Sequence, residues 1–217
     1  MSGRLLATVA AIAAVAFVVL AVLARSEAYF PIDLAITRYV QSLDSALLNL
    51  PFRALNVVGF PPIVTILYFV IALAIFLTGR RWEAIGAGIA TLGAAALTDL
   101  VKILVMRPRP SMDLVNVEHA IRSTGFPAGH VLNITAFVGF LTYLAYVRLA
   151  PSWRRTVLIA LLVLMIALMG PSLIDAGEHW PSDVLGGYLL GIAWLAMAIG
   201  IYQWRKRKKA IESVRQG

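Results

Sequence analysis

The chain has 217 residues, 60% of them hydrophobic, with a mean hydropathy of +0.84, no cysteine and a formal charge of +8. So much apolar surface excludes an ordinary soluble domain, and the missing cysteines exclude disulfides while leaving the redox compartment unread. The positive charge does not mark a nucleic-acid partner, because it collects at the ends of apolar stretches and in the tail rather than on a polar face.

A bilayer-crossing helix needs about 20 apolar residues. Six stretches qualify, at roughly 5–24, 61–78, 83–106, 130–149, 156–174 and 183–204. They predict an all-α integral membrane protein, a six-helix transmembrane bundle forming one domain over 1–217. The first stretch ends on small residues, Ala24, Ser26 and Ala28, as a cleavable signal would. Its apolar run is too long for a typical signal core and only Arg4 precedes it, so a retained span is expected.

Residues 29–58 read differently. Ile32, Leu34, Ile36, Val40, Leu43, Leu47 and Leu50 alternate with Asp33, Arg38, Gln41, Asp44 and Asn49. The pattern predicts short amphipathic helices lying at the membrane interface between spans 1 and 2, either walling a lipid access path or serving as a surface cover. Turns are marked at Gly59–Pro62, Gly79–Arg81 and Pro151–Ser152.

Arg4, Arg80, Arg81, Arg148, Arg154, Arg155, Arg205, Lys206, Arg207, Lys208, Lys209 and Arg215 all fall on one side of this arrangement, accompanied by Glu83 and Glu212. That asymmetry places both termini in the cytoplasm and makes the basic tail 205–217 a stop-transfer segment and a contact for anionic lipid. The expected location is the plasma (inner) membrane. The opposite side carries 25–60, 107–129 and 175–182, with most of the acidic residues and the three histidines on it or at its border. Chemistry is therefore expected at the extracytoplasmic face.

Three phrases on that face carry candidate chemistry. In Lys102-Ile-Leu-Val-Met-Arg107-Pro-Arg109-Pro110, Lys102 and Arg109 would share a helix face, but Pro108 and Pro110 end the helix near Met106. Lys102 then sits inside the span, one turn from Asp99, and an ionisable group there is a functional candidate. Arg107 alone suits a snorkelling charge at a helix end. In Pro127-Ala128-Gly129-His130, the glycine lets the backbone approach an anion, the following helix start points free N–H groups at it, and His130 is placed to donate a proton. In His179-Trp-Pro-Ser-Asp183, the carboxylate can hold the Nδ1 proton and leave Nε2 free as a nucleophile. Each phrase alone is compatible with capping or packing; their common side gives them weight.

These residues resemble the type 2 phosphatidic acid phosphatase (PAP2) superfamily, whose signature is Lys-x6-Arg-Pro, then Pro-Ser-Gly-His, then Ser-Arg-x5-His-x3-Asp. Lys102, Arg109 and Pro110 match the first block, and His179 and Asp183 match the end of the third. The resemblance implies that His179 attacks phosphorus to form a phosphohistidine, Asp183 orients it, and His130 protonates the leaving group. Lys102, Arg109 and the backbone around Ala128 and Gly129 would hold the phosphoryl oxygens, and no metal or other cofactor is required. The implied partners are a lipid phosphate or diphosphate substrate and the bilayer, with polyprenyl diphosphate, phosphatidic acid and phosphatidylglycerol phosphate as candidates.

Two positions depart from the signature. Ala128 stands where the family has Ser, and Leu173, after Ser172, where it has Arg. A guanidinium aimed at transition-state charge is worth ~3 kcal/mol or more. Asp175 and Glu178 add negative charge, which is expected to raise the pKa of His179. Three explanations stand: Arg107 or Arg122 substitutes for the arginine; Asp175 and Glu178 recognise a cationic or sugar head group, or a metal with His119, His130, His179 and Asp183; or the chain binds or transports phospholipid or polyprenyl phosphate without hydrolysis.

Overall fold

The computed structural model describes residues 3–215 apart from 44, 45, 60, 120 and 122. The described elements are eight α-helices: α1 (Gly3–Ser26), α2 (Pro31–Ser42), α3 (Ala46–Gly59), α4 (Pro61–Leu77), α5 (Arg81–Val105), α6 (Gly129–Arg148), α7 (Trp153–Asp175) and α8 (Pro181–Arg215). Five of them, α1, α5, α6, α7 and α8, are long and apolar enough to cross a membrane; the apolar helix over Ile63–Leu77 is shorter.

The helix α6 is apolar on all sides and is the most enclosed, as a helix without a polar face must be. It packs on α5, α7 and α8, while α1 lies along α8 and α4 along α5. Close approach of α5 depends on small residues: a Cβ on Gly86 would sit 2.4 Å from Phe140 and one on Gly93 1.9 Å from Trp194. The core between these helices is built on Phe137, Phe140, Leu132, Met169 and Ile199.

Within the segment 29–58 the described residues form the helices α2 and α3, as its pattern predicts. On α2, Ile32, Ile36, Tyr39 and Leu43 form an exposed stripe while Asp33 and Thr37 are buried. Both α2 and α3 pack on α7. Pro31 opens α2 at a position where its missing N–H costs nothing, and Asp33 Oδ2 accepts from Phe30 N at 2.9 Å. The start of α8 repeats this construction: Pro181 opens the helix, and Asp183 Oδ2 accepts from Trp180 N at 3.1 Å. In each case the carboxylate of the third helical residue satisfies the N–H just before the helix.

Candidate active site

Three helix ends converge. The first is the end of α5. Pro108 and Pro110 stop it, and Met106 closes the last turn in the left-handed region (φ 51°), donating its N–H to Lys102 O at 3.0 Å. Lys102 is half-buried in that turn, within electrostatic reach of Arg109, Asp99 and Asp183. Arg109 lies beyond the break. Its Nε donates to Ser123 O (2.9 Å), its Nη2 to Ser123 Oγ (3.1 Å) and its Nη1 to Glu178 O (2.6 Å).

The second is the start of α6. Ala128 precedes it with no side-chain acceptor to cap the helix, so the first N–H groups keep their donor capacity and the positive end of the helix dipole. Ala128 N itself donates to Asp183 O at 3.0 Å, tying this helix start to that of α8. A Cβ on Gly129 would meet Thr98 Cγ2 at 2.8 Å, so only glycine lets α5 and α6 approach this closely. His130 is half-buried in the first turn, within electrostatic reach of Arg109 and Lys102 and hydrogen-bonded to the backbone of Gly59.

The third is the turn from α7 into α8. Leu173 O accepts both Glu178 N (3.0 Å) and His179 N (3.3 Å). Gly177 makes the reversal at φ +66°, and a Cβ there would lie 2.0 Å from Asn116 O. His179 is thereby delivered, 1% exposed, with Nε2 at 3.1 Å from Arg109 Nη1 and Nδ1 at 3.6 Å from Asp183 Oδ2. A guanidinium has donors only. The contact therefore makes Nε2 the acceptor and leaves the proton of the neutral ring on Nδ1, facing Asp183. The 3.6 Å separation exceeds a hydrogen bond, and catalytic contacts of this kind often tighten only with substrate bound.

Burial pulls the His179 imidazole down to about 4, with Arg109 and His130 acting the same way and Asp183 opposing. This corrects the expectation that Asp175 and Glu178 raise it: desolvation of the charged ring outweighs the carboxylates nearby. Glu178 itself is pushed up by burial, against Arg109 and His119. Its Oε1 lies 3.7 Å from His119 Nδ1. Asp175 is half-buried, and its carbonyl accepts from Gln41 Nε2 at 2.9 Å.

Arg107, considered from sequence as a stand-in phosphate ligand, is 1% exposed and engaged on all sides within the protein. It donates to Glu27 O (3.0 Å), Ser182 Oγ (2.6 Å), Asp183 Oδ1 (2.7 Å) and Asp33 Oδ2 (3.0 Å). Arg122 lies outside the described residues. Leu173 is 3% exposed in the apolar core. Among the described residues, no group of three His, Asp or Glu side chains is placed to hold a metal ion. A groove of about 660 Å³ lined by Arg38, Gln41 and residues 112–117 contains none of Lys102, Arg109, His130, His179 and Asp183. Sequence reasoning missed Asp33, Ser182 and Ser123; a carboxylate in the first turn of an amphipathic helix, two residues after Pro31, was the signal for Asp33.

A model of the PAP2 superfamily matches residues 63–207, two thirds of the chain. This chain belongs to the PAP2 superfamily. Over 139 residues it is 31% identical to decaprenylphosphoryl-5-phosphoribose phosphatase of Mycobacterium tuberculosis, covering 63% of this chain and 72% of that one. Over 189 residues it is 24% identical to phosphatidylglycerophosphatase B of Bacillus subtilis, covering 87% and 92%. The fold is similar to the transmembrane PAP2 type phosphatidylglycerolphosphate phosphatase from Bacillus subtilis (TM-score 0.76, 20% identity, 89% and 96% covered). It also resembles LpxE of Aquifex aeolicus (TM-score 0.61, 23% identity, 78% and 96% covered). Family, relatives and apolar helices together support an integral membrane phosphatase acting on lipid.

Proposed function

We propose that this PAP2 protein hydrolyses a lipid phosphate or diphosphate, or transfers its phosphoryl group, through a phosphohistidine on His179. The observation that carries the reading is the placement of His179 between Arg109 at Nε2 and Asp183 at Nδ1, with half-buried Lys102 and His130 in electrostatic reach of the same arginine.

In this reading the phosphoryl oxygens displace His179 from Arg109 and take up the free donors of Arg109, Lys102 and the start of α6. Preorganised donors of this kind stabilise charge that develops in the transition state. The Nε2 lone pair attacks phosphorus, the P–O bond to the lipid breaks, and His130 gives its proton to the leaving oxygen. Asp183 stabilises the positive charge on the imidazole as the N–P bond forms. His130 then takes a proton from water, the hydroxyl attacks phosphorus, and the N–P bond breaks to release phosphate. An alcohol in place of water gives transfer instead.

The site lies at the end of the bundle away from the basic helix ends at 80–81, 148–155 and 205–208, which supports an extracytoplasmic site with cytoplasmic termini. In this reading the short α4 serves as the sixth span, and the exposed apolar stripe of α2 supports an interfacial helix beside the site. One relative is named as a decaprenylphosphoryl-5-phosphoribose phosphatase and another as a phosphatidylglycerophosphatase, so a polyprenyl or glycerolipid phosphate is the first substrate class to test.

The test is phosphate release by the detergent-purified protein, in EDTA, from phosphatidic acid, phosphatidylglycerol phosphate and an isoprenyl diphosphate. His179→Ala and Leu173→Arg run alongside, and a denaturing alkaline quench traps a base-stable, acid-labile phosphoryl group. Release that vanishes in His179→Ala supports the reading. Head-group binding without release from the parent, with release from Leu173→Arg, would replace it with a lipid-phosphate binder or transporter on this fold.

A further inference from the structure

The starts of α2 and α8 are built alike and meet. Phe30-Pro31-Ile32-Asp33 and Trp180-Pro181-Ser182-Asp183 each place an aspartate at the third helical position, with Oδ2 accepting the N–H of the preceding aromatic residue. Two buried carboxylates this close repel unless a cation lies between them. That cation is Arg107, whose Nη2 reaches Asp33 Oδ2 at 3.0 Å and whose Nη1 reaches Asp183 Oδ1 at 2.7 Å.

Every oxygen of the two carboxylates accepts a hydrogen bond. Ser182 N donates to Asp33 Oδ1 (2.9 Å), and Ser182 Oγ donates to Asp33 Oδ2 (2.7 Å) while accepting from Arg107 Nη1. Four of the five guanidinium N–H groups have acceptors, the fourth being Glu27 O. Phe30 lies against the guanidinium face at 4.8 Å, and Tyr29 stacks on Trp180 at 5.1 Å. The segment leading into α2 therefore clamps the His179–Asp183 segment. With Oδ1 of Asp183 held by Arg107 and Oδ2 held by Trp180 N, the carboxylate has one orientation, and Oδ2 is the oxygen that faces His179.

We propose that Arg107 and Asp33 are positioning residues for the reaction: Asp33 fixes the Arg107 guanidinium, and Arg107 fixes the Asp183 carboxylate toward His179 Nδ1. Neither touches substrate. The proposal rests on the His179–Asp183 reading above and adds α2 to the catalytic apparatus. A merely structural strap would lower the amount of folded protein and leave the turnover of each folded molecule intact.

The experiment is a double-mutant cycle on the full chain in detergent, reading phosphate release from phosphatidic acid and an isoprenyl diphosphate. Asp33→Asn is expected to lower kcat by about tenfold or more with KM within about twofold, the pattern of a contribution realised in the transition state. In an Asp183→Asn background the same change costs less than about twofold further, because residues acting through one another are not additive. Arg107→Lys, which keeps the charge and loses the fork, follows the same pattern and decides the matter if Asp33→Asn does not fold. Full kcat in folded Asp33→Asn, or losses that multiply across the cycle, overturns the proposal. Turnover that survives His179→Ala overturns the reading beneath it instead.

Discussion

Buried carboxylates occupy opposite ends of the bundle, and their surroundings differ. At one end, Glu83 of α5 accepts from Tyr202 OH at 2.9 Å and from Arg148, with Lys206 Nζ at 3.5 Å. Its partners come from α6 and α8, so one carboxylate ties three helices. At the other end, Asp33 and Asp183 share Arg107 and leave His179 with Nε2 against a cation and Nδ1 short of a hydrogen bond. A buried ion network is thus no sign of chemistry by itself. What separates the two ends is the second one's collection of half-buried cations and an uncharged imidazole beside an uncapped helix start.

The largest expected difference is in turnover. His179→Ala should lower phosphate release by at least about a thousandfold, whereas Glu83→Gln should leave the rate per folded molecule within about twofold. Equal effects in the same assay would erase the distinction between the ends. Next, Arg109→Ala or Lys102→Ala should each reduce kcat/KM by about a hundredfold, or ~3 kcal/mol, as loss of a preorganised charge partner does. Michaelis–Menten analysis of both variants checks this.

The pH dependence of stability sharpens the contrast. Folding lowers His179 from 6.5 to about 4, so below pH 6.5 the unfolded chain takes up a proton that the folded chain refuses. Stability should fall as pH drops from 6.5 toward 4, by up to about 3 kcal/mol from this residue. Thermal unfolding in detergent should show a steeper acid decline for the parent than for His179→Ala. The smallest effect is the stability cost of Glu83→Gln. The Arg148 side chain is 39% exposed and can be hydrated when its partner is lost, so about 1 kcal/mol is expected, well below the cost of breaking a fully buried pair. A shift of a few degrees in the same melting experiment checks it.

The helices were legible because a bilayer imposes length and hydropathy on them directly. The predicted stretches 83–106, 130–149, 156–174 and 183–204 fall on α5 to α8, and 5–24 falls on α1. The sixth, 61–78, appears as the shorter α4. The turn residues also kept their meaning: Pro108 and Pro110 end α5, and Gly79 reverses the chain at φ +80°. Local spacing also suggested the pairing of His179 with Asp183, four residues apart across one helix start.

Partners distant in sequence were not legible. Arg107 read as a snorkelling charge or a phosphate ligand because its neighbours in sequence are apolar and prolines; Asp33 is 74 positions away and Ser182 is 75. The sequence by itself determined a membrane-spanning helical chain, its family, and which residue types were available for phosphoryl chemistry, since hydropathy, proline and short spacings act locally. Only the tertiary structure decided which cation meets which anion. That depends on how α2, α5 and α8 dock, and a charge excluded from water goes to whichever opposite charge the packing brings within reach.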